Sequence, residues 1–103
     1  MNVMKMMRDL QQAQSKLASV QEELARREVQ SQSGGGVVKV VARGDGTFVS
    51  IRIDPQAVDP QDVEMLQDLI LSAVNAASEE VRKLMASEMS KVTGGLKIPG
   101  MGL

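Results

Sequence analysis

The sequence contains no cysteine, histidine, tryptophan or tyrosine, and Phe48 is the one aromatic residue among 103. Lacking cysteine and histidine, the chain has no disulfide framework, no thiolate nucleophile and none of the usual zinc ligands. The Ser-His pair and the commonest general base near neutral pH are gone as well. No remaining cluster places carboxylates or a Ser-Lys pair in a cleft, so neither an enzyme nor a cofactor is expected. Without aromatic platforms the chain is poorly equipped to stack on exposed bases, which argues against single-strand or sequence-specific RNA recognition. Long apolar runs are missing too. Even Leu69 to Ala77 is interrupted by Ser72 and Asn75, well short of the roughly 20 apolar residues of a membrane span. The opening stretch, Met1 to Leu10, has no apolar core of signal-peptide length, so a cytoplasmic location and no membrane partner are expected.

An excess of either charge is also lacking: the net charge is -1. The distribution is nevertheless uneven. Residues 1–20 carry Lys5, Arg8 and Lys16 against Asp9, and residues 81–103 carry Arg82, Lys83, Lys91 and Lys97 against Glu88. Between them, residues 45–80 hold Arg52 alone against eight acids. The two ends are basic and the middle is acidic, which directs attention to the ends as the surface for an anionic partner.

What is abundant is aliphatic periodicity. Val3, Met6, Leu10, Ala13, Leu17, Val20 and Leu24 alternate steps of three and four, a heptad stripe that predicts a helix over residues 2–27. Met4 and Met7 widen the stripe at its start, where packing is the expected use of these methionines. A second helix is expected from Asp59 as N-cap with Pro60 at the first helical position, running to Gly94 and Gly95. Its apolar face comprises Val63, Leu66, Ile70, Ala73, Ala77, Val81, Leu84 and Met85.

Between the helices, Val37–Arg43 and Thr47–Ile53 are rich in β-branched residues and flank Gly44, Asp45 and Gly46, the pattern of a hairpin. Alternation sets Val38, Val40 and Ala42 against Val49, Ile51 and Ile53 on one face. Lys39, Arg43 and Arg52 take the other, with Val37, Val41 and Phe48. Ahead of the hairpin, Val29, Ser31 and Ser33 alternate weakly, so that segment reads either as one more strand or as a continuation of the first helix. Gly34–Gly36 reads as a turn, since it lacks the Lys and Ser/Thr of a phosphate loop. Two long amphipathic helices outreach so short a sheet, and self-association is expected to cover the excess stripe.

The order of these pieces resembles the YbaB/EbfC family. Gly34-Gly35-Gly36-Val37-Val38-Lys39-Val40 looks like its glycine turn and Val-Lys-Val strand, and Ile53-Asp54-Pro55 looks like its strand exit. Asp62 to Asn75 is similar to its acidic, Leu-rich helix start, and Thr93 to Met101 looks like its tail. The start departs from the Met-Phe-Gly opening of many relatives. The resemblance implies an α+β subunit of order α-β-β-β-α, with a long N-terminal helix, a three-stranded antiparallel sheet and a long C-terminal helix. It further implies a tweezer-like homodimer that binds double-stranded DNA in association with the nucleoid. Residues 1–93 are then a single domain and residues 94–103 a flexible Gly-rich tail.

Duplex affinity comes mainly from Lys and Arg neutralising phosphates, so the candidates are cations that no acid already occupies. Arg8, Lys16, Arg82 and Lys97 are expected to be free of an acid at either helical spacing. Lys5 has Asp9 four residues on, Lys91 has Glu88 three residues back, and Arg26, Arg27 and Lys83 follow Glu22, Glu23 and Glu79 at four. These five are secondary candidates. Lys39, Arg43 and Arg52 form a cross-strand strip that faces DNA or borders the dimer interface. The competing function is a protein-interaction module whose methionine and leucine stripes grip a recombination or repair factor.

Overall fold

The computed structural model describes residues 2–94. Helix α1 spans Val3–Arg26, and the Asn2 side chain opens it by accepting a hydrogen bond from the Met4 backbone N–H at 3.1 Å. Strands β1 (Glu28–Ser33), β2 (Val38–Arg43) and β3 (Phe48–Ile53) follow, and helix α2 (Val63–Gly94) closes the order α-β-β-β-α. The strands make one antiparallel sheet in the order β1-β2-β3. The segment around Val29, Ser31 and Ser33 is therefore a strand, with Val29 opposite Ala42 and Ser33 opposite Val38. Pairing with β2 satisfies the backbone groups on one side of it, and a bond from the Ser33 hydroxyl to the Leu69 carbonyl at 2.6 Å ties it to α2.

The core is a thin two-layer contact. Val38, Val40 and Ala42 on one face of β2 pack against Ala73, Ala77 and Val81 of α2, with Leu66, Leu69 and Ile70 half-buried beside them. The alanines let the helix lie close to the valine strand. Complete burial of Val38 and Val40 contributes roughly 1.5–3 kcal/mol each. Helix α2 lies across β1 and β2 and leaves β3 largely uncovered.

Three expectations need correction. Helix α2 starts at Val63, three residues later than the first helical position, Pro60, that the Asp59-Pro60 signal suggested. Asp59 instead closes a turn, its carboxylate accepting from Gln61 N–H and its carbonyl from Asp62 N–H, both at 2.9 Å. Asp62 is the residue that caps the helix, through Met65 N–H at 3.2 Å. On the sheet, a bulge at Val41/Ala42 sets Phe48 rather than Val49 opposite Ala42. Phe48 thus moves to the α2 side of the sheet, because one extra residue in β3 reverses the alternation beyond it. Val37, expected on the open face, sits in the turn before β2 and packs on the core.

Exposure along the α1 stripe is high from Val3 to Leu10 and falls beyond it toward the sheet. Val3 is 66% and Leu10 65% exposed, Leu17 and Val20 are half-buried, and Leu24 is 4% exposed. Leu24 is locked beside Gly44, where an added Cβ would stand 2.6 Å from the Leu24 carbonyl oxygen. Gly44 also donates its N–H to the Arg27 carbonyl at 2.9 Å. The helix is thus rooted at its C-terminal end and projects as an arm.

Candidate nucleic-acid interface

The arm has two distinct faces. At about 100° per residue, Lys5, Arg8, Gln12, Ser15 and Lys16 fall within one sector of about 100° that lies beside the apolar stripe. Arg8, Gln11, Gln12, Ser15 and Lys16 line a shallow open groove there. From Lys5 to Lys16 the face runs about 17 Å along the axis. All of these side chains are exposed. Among the described residues, Lys5, Arg8, Lys16 and Arg26 form no ion pair, although Asp9 and Glu22 stand at helical spacing from Lys5 and Arg26. Gln11, Gln12 and Ser15 were missed in the sequence, because a search for cations passes over neutral hydrogen-bond donors.

The cations of α2 are arranged differently. Arg82, expected to be free, holds Glu79 three residues earlier, with Nε at 3.2 Å and Nη2 at 2.8 Å from the same carboxylate oxygen. This bond and the guanidinium charge hold the Glu79 carboxyl below its ordinary value. Lys83 pairs with Glu80 at 3.7 Å rather than with Glu79. Arg27 turns away from Glu23 and reaches Glu88 at 2.7 Å, and Lys91 meets the same Glu88 oxygen at 3.1 Å. Glu88 is almost fully buried. The Lys91 hydrogen bond, and the charges of Lys91 and Arg27, hold its carboxyl below the usual range against the opposing effect of burial. Local acids thus already occupy Arg27, Arg82, Lys83 and Lys91. Lys97 lies outside the described residues.

On the sheet face away from α2, Lys39 stands opposite Arg52, and Arg43 opposite Glu28. Lys39, Arg43 and Arg52 are all exposed. Like-charged residues directly opposite one another repel, so the Lys39–Arg52 placement is mildly unfavourable in the isolated sheet.

A two-layer α+β subunit presenting an unneutralised cationic arm is the architecture of a binding protein. The chain belongs to the YbaB/EbfC DNA-binding family, whose sequence model matches residues 1–96. It is 52% identical over 100 residues to a nucleoid-associated protein of Pelotomaculum thermopropionicum, covering 97% of this chain and 95% of that one. A nucleoid-associated protein of Desulforamulus reducens is 54% identical over 100 residues, with the same coverage of 97% and 95%. One from Akkermansia muciniphila is 48% identical over 103 residues, covering 99% of each chain. The family is a DNA-binding one and these relatives are named as nucleoid-associated proteins, so family and names alike point away from an enzyme. Among solved structures, the crystal structure of an uncharacterized Helicobacter pylori protein, HP0035, matches with a TM-score of 0.73. The two are 28% identical, and the match covers 86% of this chain and 97% of that one.

Proposed function

We propose that this chain is a cytoplasmic, nucleoid-associated protein that binds double-stranded DNA as a homodimer, through phosphate contacts of weak sequence selectivity. It thereby contributes to chromosome organisation and to gene regulation. The observation that carries this reading is the row Lys5, Arg8 and Lys16, exposed on one face of the arm and free of ion pairs among the described residues. Its rise of about 17 Å spans roughly five phosphates of one strand at about 3.4 Å each. Helix-face cations and amides that meet phosphate oxygens read no bases, which is the source of the weak selectivity.

Pairing of two chains is supported by β3. It is an edge strand, and its Phe48, Val49 and Ile51 stay 44%, 43% and 48% exposed where α2 does not reach. A second copy is the occupant that fits, because an edge strand meeting its own copy about a two-fold axis is self-complementary in backbone bonds and in apolar surface. A chain this short, whose largest fully buried side chains are valines, gains most from such an addition.

The test is duplex binding across salt. About six phosphate contacts in the dimer predict a loss of affinity on the order of a thousandfold between about 50 and 200 mM salt. A flat response overturns the reading. One observation favours a second reading, a protein-interaction module for a recombination or repair factor. Val3, Met4, Met6, Met7 and Leu10 are 54–75% exposed, an apolar surface near the tip of the arm. If that reading holds, Met6→Gln/Leu10→Gln abolishes capture of a protein partner while duplex binding by the wild-type protein is absent.

A further inference from the structure

The open face of the sheet carries a feature that the arm does not explain. Lys39 and Arg52 are direct register partners on β2 and β3, which sets their Cβ atoms about 4.5–5.5 Å apart. Neither forms an ion pair among the described residues. On this same face Glu28 stands opposite Arg43, four ladder positions from Lys39 and so about 13 Å away along the strand. Gln32, the partner of Lys39 on β1, completes a row across all three strands. At the end of that row lies Gly36, with φ at +101°. An added Cβ there would stand 3.5 Å from Gln32 Oε1 and 3.7 Å from Lys39 Cε, so both side chains run over the glycine turn. Two cations and an amide are thus gathered at one end of the open face, with a repulsion that an anion between them would relieve.

We infer that Lys39, Arg52 and Gln32 form a second phosphodiester-binding site, on the sheet, which takes the sugar-phosphate backbone of the duplex separately from the α1 arm. This rests on the proposed duplex binding and adds a contact to it. A phosphate oxygen bridges the Lys39 ammonium and the Arg52 guanidinium, and the Gln32 amide donates to the same phosphate or its neighbour. The lack of aromatic side chains on this face suits paired rather than splayed bases. Like the arm, it reads charge and not sequence.

The test is fluorescence anisotropy of a labelled mixed-sequence duplex with the full chain, between about 50 and 200 mM salt. Lys39→Gln/Arg52→Gln removes two contacts at a slope of about -0.9 each, so the salt-driven loss of affinity shrinks about twelvefold for each protomer in contact. Arg8→Gln/Lys16→Gln shrinks it by a similar factor, and the four changes together combine. The charge-keeping exchange Lys39→Arg/Arg52→Lys retains the wild-type slope. The melting temperature of Lys39→Gln/Arg52→Gln is no lower than that of the wild type, because the substitution removes a repulsion. Wild-type affinity and slope in Lys39→Gln/Arg52→Gln, with binding weakened in Arg8→Gln/Lys16→Gln, overturns the sheet site and leaves the arm standing. An equal loss in the charge-keeping exchange also overturns it, since charge is then not what binds. If the wild-type protein binds no duplex, the sheet site falls together with the proposed function.

Discussion

Arg27 Nη1 stands 2.7 Å from Glu88 Oε1, joining the residue just after α1 to one 61 positions later on α2. Lys91 shares the same oxygen, so one nearly buried carboxylate holds two cations where the arm leaves the body. A depressed folded-state pKa means that this carboxylate stabilises the fold above its ordinary value of 4.5 and ceases to do so as pH falls through the lower folded value. Glu88→Gln therefore lowers the melting temperature at neutral pH. The gap to the wild type closes in melts recorded well below pH 4.5, as the wild-type carboxyl itself becomes neutral.

Gly44→Ala drives a Cβ against the Leu24 carbonyl oxygen, at 2.6 Å from backbone that cannot move without shifting the arm. We expect a loss of about 1–3 kcal/mol in urea unfolding. A neutral result would mean that the root of α1 is looser than its contacts imply.

The cap of α2 separates two aspartates that look alike in the sequence. Asp62→Ala costs about 1 kcal/mol, because the Met65 N–H loses its acceptor at the first turn. Asp59→Ala alters the preceding turn and leaves helix content by circular dichroism unchanged.

Phosphate binding should divide by helix. Arg8→Gln/Lys16→Gln lowers the slope of log affinity against log salt by about 1.8 for each protomer in contact. Arg82→Gln/Lys83→Gln changes it far less, because Glu79 and Glu80 already neutralise those two cations. Equal effects from the two pairs would refute the division.

Ile51→Lys places a charge in the exposed apolar part of β3, where Ile51 is 48% exposed in the isolated chain. The variant sediments as a monomer with unchanged helix content if β3 is the contact between copies. A dimer that survives the change places the contact elsewhere.

The family-level features and the elements were legible in the chain itself. The heptad stripe marked α1 to within a residue, the β-branched runs around Gly44–Gly46 marked the hairpin, and the lack of histidine and cysteine pointed away from catalysis. The Glu79–Arg82 pair was open to the same reading, since a spacing of three is a helical neighbour, and it was passed over. Arg8 and Lys16 are free of ion pairs among the described residues, as the sequence suggested, whereas Arg82 is held by Glu79.

Periodicity is a local property, so the sequence alone determined the two helices, the hairpin and the apolar stripe of each helix, while the β1 segment stayed open between strand and helix. Only the tertiary structure decided that Glu88 binds Arg27, that a bulge turns Phe48 to the other side, and that α2 stops short of β3. Each of these depends on where distant segments meet. That meeting is set by the summed packing of Val38, Val40, Ala73 and Ala77, and no short window of residues contains it.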